Sequence, residues 1–226
     1  MSNVVTRLAD WRDPDSFSNR MRARRFELFE RLAAPLPRPL RILDVGGTDD
    51  MWERVGWAGR DDVRITMLNL VPGESSHPNI EPVAGDATDL AQIGDGDFDI
   101  AFSNSVIEHL FTVEAQAAMA REVRRVGRAL WLQTPNYWFP VEPHFHFVGW
   151  QWLPESARVE ILRRRDCGWR GRTPDPAQAR ELVREVRLMR RSELERLFPG
   201  ATIAPERFLG AVKSWIVHDG FPSPAG

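Results

Sequence analysis

The apolar positions of this chain change period along its length. Residues 17–33, FSNRMRARRFELFERLA, place Met21, Phe26, Phe29 and Leu32 at roughly helical spacing, and PLPRP (35–39) then stops the helix. From there alternation begins. RILDV (41–45), VRITMLNL (63–70), IEPVA (80–84), FDIAFS (98–103) and RALWLQT (128–134) read as five short buried strands. DDMWERVGW lies between the first two, and SVIEHLFTVEAQAAMAREVRRV (105–126), after the fourth, reads as a long helical stretch. Strands alternating with helices predict an α/β fold with a mostly parallel sheet and helices on both faces.

Residues 135–175 break that rhythm. This part of the chain holds most of TPNYWFPVEPHFHF (134–147), a tryptophan-rich VGWQWLP, a predicted helix over Glu155–Arg165 and the loop GWRGRTPDP. It reads as an insertion over the carboxyl edge of the sheet, as a pocket wall or a lid. PAQARELVREV (176–186) is then helical, SELERLF (192–198) starts with a predicted capping box of Ser192 and Glu195, and ERFLG and VKSWIVHD finish as a strand pair. The expected organisation is a single domain over 1–226, with an N-terminal helical extension at 1–37 and the insertion at 135–175.

Composition narrows the classes. A chain of 226 residues holds one domain with a full core, or one domain with a sizeable insertion. No run approaches the roughly 18–20 apolar residues of a membrane span. MSNVVTRLADWRDPDSF has no apolar stretch behind a basic start, so a cytoplasmic location is the expectation. Cys167 is the sole cysteine, which excludes an intramolecular disulfide and a thiolate-clustered zinc site. The net charge of −2 argues against broad nucleic-acid binding, although RMRARR (20–25), RRR (163–165) and RR (190–191) cluster positive charge. Nine tryptophans are more informative, because an indole joins an apolar face to a polar N–H and suits sugar- and ring-binding pockets. Trp138, Trp150 and Trp152 are candidates to line such a cavity, with core packing as the alternative for each.

Ligands of open α/β sheets bind outside the carboxyl ends of the strands. There the chain places LDVGGTDD (43–50), Asn69-Leu70, Gly85-Asp86-Ala87 and Ser103-Asn104-Ser105. Asp44, Gly46 and Gly47, then Asp86 in AGDATDL and the strand DFDIAFSN, resemble in order the motifs of the class I S-adenosylmethionine-dependent methyltransferases, of the methyltransferase type 11 kind. RLMRRSELERLFPGATIAPERFLGAVKSWIV resembles their last helix and closing hairpin. The resemblance covers roughly 38–134 and 186–217. It implies a Rossmann-like sheet closed by an antiparallel hairpin, S-adenosylmethionine as cofactor, and Asp44, Gly46, Gly47, Asn69, Leu70, Asp86, Ala87 and Ser103 as its binding residues. Three positions depart from the pattern: Thr48 and Asp50 replace later glycines, and Asn69 stands where an acid holds the ribose hydroxyls. Asparagine both donates to and accepts from hydroxyls.

A hydroxyl acceptor needs a base or a metal to take its proton. SNSVIEHL (103–110) resembles the E-x-x-E-H metal motif of small-RNA 2′-O-methyltransferases and ubiquinone-pathway O-methyltransferases, with Glu108 and His109 matched and Ser105 in the first glutamate's place. The RNA enzymes have a further histidine ligand after a Thr-Pro-Asn turn, here Thr134-Pro135-Asn136 with His144 and His146 downstream. The implied ligand set is Glu108, His109 and His144, holding magnesium, manganese or zinc. The competing reading makes Ser105 and Glu108 a capping box. Without metal, His144 or His109 is the candidate general base and Glu142 its orienting carboxylate. In an extended loop Glu142, His144 and His146 share one side, and Phe145 and Phe147 the other.

These features point to O-methylation of a small polar acceptor, a sugar or oligosaccharide. More loosely, TPNxWFPxEPH resembles bacterial polysaccharide methyltransferases, including those of methylated mannose polysaccharides. A methyltransferase for an RNA terminus or quinone precursor is the first alternative, and a non-catalytic cofactor-binding partner subunit the second. Nucleic acid and membrane are not expected partners, and a homodimer is left open.

Overall fold

The computed structural model describes residues 17–222. Residues 1–16, with most of the leader reading and the start of the 1–37 extension, lie outside the described residues. The chain runs α1 (Phe17–Ala33), β1 (Leu40–Val45), α2 (Asp49–Arg54), β2 (Val63–Asn69), β3 (Ile80–Ala84), β4 (Phe98–Asn104), α3 (Val113–Val126) and β5 (Gly127–Pro135). It continues through β6 (Val141–Glu142), β7 (Phe147–Val148), α4 (Glu155–Arg164), α5 (Pro176–Arg184), α6 (Arg191–Leu197), β8 (Thr202–Phe208) and β9 (Ala211–Asp219). One seven-stranded sheet has the order β3-β2-β1-β4-β5-β9-β8. Its first five strands are parallel, and β9 and β8 close it antiparallel. The order reverses between β1 and β4, so their carboxyl ends form the switch point at which such sheets bind ligands.

Alternating strand residues fill two apolar layers. Leu43, Val45, Ala101, Leu130 and Leu132 pack with Met119, Val123 and Leu194 from α3 and α6. Ile42, Ile65, Ile100, Phe102 and Trp131 face Phe26 and Phe29 of α1 and Trp52 of α2 on the other side. The second layer is strongly aromatic, with the Phe29 ring 5.1–5.4 Å from those of Trp57, Phe102 and Trp131. The seat of α1 also has a polar anchor. Arg25 donates to both carboxylate oxygens of Glu206, at 3.0 and 2.7 Å, and to the side-chain oxygens of Asn104 and Gln133 at 2.6 and 2.9 Å.

The stretch 105–126 is not one helix. Ser105 takes a left-handed backbone (φ 59°), Ile107–His109 form a single 3-10 turn, and α3 starts only after Thr112, whose hydroxyl accepts from the Ala115 N–H at 3.1 Å. The Ser105–Glu108 capping box therefore does not form; Ser105 donates to Gln133 instead, at 2.7 Å. The second predicted box is displaced as well. Glu193, not Glu195, accepts from a backbone N–H, that of Arg190 at 2.9 Å, while Glu195 pairs with Arg191.

The insertion has its own small core of Phe145, Trp150, Val159, Leu162, Cys167, Ala179 and Val183. Because α5 supplies two of these, the packed unit runs past residue 175. Its stem is tied to the sheet. The Arg187 N–H donates to the Glu108 carbonyl at 2.7 Å, and the Tyr137 N–H to the Met189 carbonyl at 3.0 Å. The basic clusters are largely absorbed within the fold: Arg163 and Arg164 pair with Glu160, and Arg165 lies over the Phe147 ring. No helix of the described residues is long and apolar enough to cross a membrane.

Candidate active site

The turn after β1 leaves no room for a Cβ at either of its glycines. Gly46 has φ +76°, and a Cβ on Gly47 would sit 1.7 Å from Asp44 Oδ2. Asp44 is buried and accepts from the Trp52 indole N–H at 2.6 Å. Burial pushes its carboxyl up to about 7, against the opposing effect of that hydrogen bond. Asn69, at the end of β2, donates its amide to the Gly47 carbonyl at 3.1 Å. A carboxylate could not make that bond, which gives a physical reason for asparagine here and leaves its Oδ1 as an acceptor for a hydroxyl. Leu70 beside it is exposed. Asp86 accepts from the Thr88 N–H and hydroxyl at 2.8 and 2.7 Å, which hold its carboxyl below the usual range. Ala87 is buried next to it, and Ser103 is fully buried with its hydroxyl on the Val45 carbonyl at 3.3 Å.

Asp50 is exposed and pairs with Arg54 at 3.5 Å. It lines a cavity of about 700 Å³ between α1 and α2, together with Thr48, Asn104, Phe102 and Trp131. This space borders the glycine turn and is of ordinary ligand-binding size.

Across β4, the fold gathers Glu108, His109 and His144, with one ligating atom from each lying within 4.8 Å of the others. Each is held by a different neighbour. Glu108 is fully buried; its Oε2 accepts from the Thr134 hydroxyl at 2.9 Å, and its Oε1 has no partner in the protein. Burial pushes the Glu108 carboxyl up to about 7. The Glu185 carbonyl lies against the His109 ring and favours an N–H there, but burial, then the charge of His144, pull that imidazole down to about 4. His144 Nδ1 stands 2.6 Å from Glu142 Oε1, and its ring meets that of His109 edge-on at 4.8 Å between centroids. Burial lowers the His144 pKa, but the hydrogen bond and charge of Glu142 outweigh it, and the net shift is upward.

Glu142 and His144 meet through a turn, not through an extended strand. β6 pairs with β7 around residues 143–146. His146 has a left-handed backbone (φ 48°) and turns to Trp169, 5.0 Å between centroids, so it leaves the face shared by Glu142 and His144. The candidate tryptophans divide between surface and core. Trp138 and Trp152 are exposed, and Trp150 is buried against Phe145 with rings stacked at 4.2 Å. Sequence reasoning missed Thr134 as the partner of Glu108, Trp52 as that of Asp44, and the Arg25 anchor. Those partners lie 26, 8 and up to 181 residues away, beyond any local motif.

A second carboxylate–imidazole group, Asp49, Glu53 and His77, lies on α2 and in the β2–β3 loop. There Glu53 is exposed and His77 already bonds it at 2.7 Å.

Residues 62–129 match the family described as Methyltransferase domain. With the sheet order and the glycine turn, this match supports a Rossmann-like fold of the class I S-adenosylmethionine-dependent methyltransferase kind. No curated protein matches the chain. Among solved structures, it is similar to the N-terminal domain of EvdMO1, studied in the presence of SAH and D-fucose (18% identity, 89% of this chain and 83% of that one, TM-score 0.53). It is also similar to the Burkholderia thailandensis 1,6-didemethyltoxoflavin-N1-methyltransferase with bound 1,6-didemethyltoxoflavin and S-adenosylhomocysteine (16% identity, 96% and 84% covered, TM-score 0.51). A Nostoc punctiforme PCC 73102 structure described as an O-methyltransferase gives 14% identity and TM-score 0.48; 90% of this chain aligns, spanning 57% of that protein's length. At these identities the likeness is one of fold.

Proposed function

We propose that the protein is an O-methyltransferase that acts on a hydroxyl of a small polar acceptor of the sugar class, with a divalent ion held by Glu108, His109 and His144. The observation that carries this reading is the buried Glu108 carboxylate, with its Oε1 unpartnered, gathered within 4.8 Å of ligating atoms of two histidines. A buried carboxylate oxygen without a partner is costly, and a cation at that point offsets the cost. Both histidines have the outer partners that metal-ligating imidazoles have: a carboxylate for His144 and a carbonyl for His109.

The donor would lie along Asp44, Gly46, Gly47, Asn69 and Asp86, at the carboxyl ends of β1, β2 and β3. S-adenosylmethionine brings a methyl group already activated on sulfur, and a divalent ion lowers the pKa of a hydroxyl beside it. The chain's own task is alignment and exclusion of water. Glu108 and His109 come from the end of β4 and His144 from the insertion, so an acceptor seated on all three is fixed between sheet and insertion. The acceptor oxygen takes the methyl carbon, the sulfur leaves as a thioether, and the hydroxyl proton passes to a base.

A second reading rests on the Glu142–His144 pair. With no ion, His144 Nε2 takes that proton directly, and Glu142 holds the imidazolium. The sugar class draws on the tryptophan-rich insertion and the near-neutral charge.

Calorimetric titration with S-adenosylhomocysteine, before and after chelator treatment, tests the donor site. Micromolar binding unchanged by the chelator supports the reading, and sugar acceptors are then assayed with and without magnesium. Absence of binding in both conditions would favour the partner-subunit alternative.

A further inference from the structure

A cavity of about 260 Å³ lies behind Glu142, between the insertion and the segment 186–190. Its polar lining is unevenly matched. Glu142 spends both oxygens on the turn: Oε1 on His144 Nδ1, and Oε2 on the N–H groups of His144 and Phe145 at 2.7 and 2.6 Å. Glu193 is taken by the Arg187 guanidinium and the Arg190 N–H. Two cations remain. Arg158 has no carboxylate within 4 Å among the described residues, its Nε is buried without a partner, and burial lowers its pKa. The Arg190 guanidinium lies over the Tyr137 and Trp138 rings, 4.6 and 5.4 Å from their centroids, and forms no salt bridge among the described residues.

An acceptor atom accompanies this surplus of donors. Gln151 gives its amide N–H groups to the carbonyls of Tyr137 and Phe139, at 3.0 and 2.6 Å, which fixes its orientation. Its Oε1 is buried and unpartnered. The cavity thus presents an unmatched cationic donor and an unmatched neutral acceptor, with the Tyr137, Phe145 and Trp150 rings forming its apolar wall.

We infer that this cavity is a binding subsite for an anionic group next to a hydroxyl, and that the acceptor is an acidic sugar: a sugar carboxylate or a sugar phosphate monoester. The anion sits on Arg158 and Arg190 and the neighbouring hydroxyl donates to Gln151 Oε1. This inference rests on the O-methyltransferase reading, which it narrows. Guanidinium is the side chain suited to both anions, and a partly desolvated, unpaired one gains most from them. Glu142 forms part of the cavity wall and also holds His144, which links the subsite to the catalytic face.

The test is calorimetric titration of the full chain with D-glucuronate, D-glucose 6-phosphate and D-glucose, with chelator present and no methyl donor, so that neither donor nor metal binding enters. At least one anionic sugar is expected to bind about tenfold or more tighter than glucose, a gap of about 1.4 kcal/mol. Which of the two binds tells carboxylate from phosphate. Arg158→Gln should remove the preference, Arg158→Lys should restore part of it, and neither should change S-adenosylhomocysteine affinity. Equal binding of neutral and anionic sugars, or a preference that survives in Arg158→Gln, would overturn the subsite. Should Arg158→Gln fail to fold, competition by inorganic phosphate against glucuronate in the unmodified protein decides: competition supports the subsite and its absence overturns it. Tight binding of an anionic sugar that is methylated no faster than glucose would overturn its assignment to the acceptor. Loss of S-adenosylhomocysteine binding in the unmodified protein would instead strike the methyltransferase reading itself.

Discussion

Glu142 grips His144 at two points: Oε2 accepts from the His144 backbone N–H at 2.7 Å, and Oε1 meets the ring Nδ1 at 2.6 Å. Backbone and ring are thus fixed by one carboxylate, itself 1% exposed. With Nδ1 engaged as the N–H, Nε2 is left with its lone pair for an ion or a proton. Glu142 acts through His144, so it is a positioning residue. Glu142→Gln should lower metal affinity by about 10- to 100-fold, as loss of such an outer partner usually does. Donor affinity should stay unchanged. Parallel titrations with Mn²⁺ and S-adenosylhomocysteine check both.

His144→Ala removes the group that either proton-transfer reading needs. Turnover should fall by about a hundredfold or more, and S-adenosylhomocysteine affinity should stay within a few-fold. Collapse of donor affinity in this variant would place His144 on the wrong side of the site.

Gly47→Ala drives a Cβ into the Asp44 carboxylate, 1.7 Å from Oδ2 and 2.3 Å from Cγ. Asp44 must then leave the Trp52 indole, and the turn must open. S-adenosylhomocysteine affinity should drop by about tenfold or more. Far-ultraviolet circular dichroism should stay native, because the sheet does not depend on that turn.

Asp44 also gives stability a pH dependence. Its carboxyl is raised by burial from 3.8 to about 7 in the folded chain. The native state therefore keeps this proton longer than the unfolded state does, so stability is full below about pH 4, falls as pH rises to about 7, and is flat above. The loss is on the order of 4 kcal/mol as an upper bound. Asp44→Asn should flatten that slope in urea unfolding followed from pH 4 to 8, and the variant should exceed the parent in stability at pH 8. An unchanged slope would mean that the carboxylate is solvated in the native state.

The anchor of α1 predicts a large single-site effect. Arg25→Met leaves the Glu206 carboxylate buried without its bidentate partner, with the Ser214 hydroxyl and the nearby charges of Lys213 and Arg22 to answer it. Removing one partner of such a pair costs about 3–5 kcal/mol, and the double variant Arg25→Met, Glu206→Met should recover part of that loss. Thermal unfolding of the three proteins measures it.

The parallel strands were legible because four of them are short runs buried on both faces and the edge strand β3 is a short run between turn residues, and all five strand positions agree with the structure within one residue at either end. The helix α1 was legible for the same kind of reason: Phe26 and Phe29 keep helical spacing on one buried face. The stretch 105–126 misled because Val106, Ile107 and Leu110 continue the apolar pattern of α3, while the left-handed backbone at Ser105 and the cap at Thr112 interrupt it. In the insertion, strand alternation put His146 beside His144, but the turn between β6 and β7 rotates it away. The meeting of Glu108, His109 and His144 was legible through motif order. The partners Thr134 of Glu108 and Glu185 of His109 were not, since only the folded chain brings them near.

Binding of a divalent ion by Glu108, His109 and His144 is the proposal on which the acceptor chemistry turns. Its most direct test is Mn²⁺ binding, counted by electron paramagnetic resonance on the full chain and on Glu108→Gln and His144→Ala. One bound ion per chain, lost in both variants while S-adenosylhomocysteine binding is kept, is the predicted result. No bound ion in the unmodified protein, or a bound ion that survives in both variants, would contradict it.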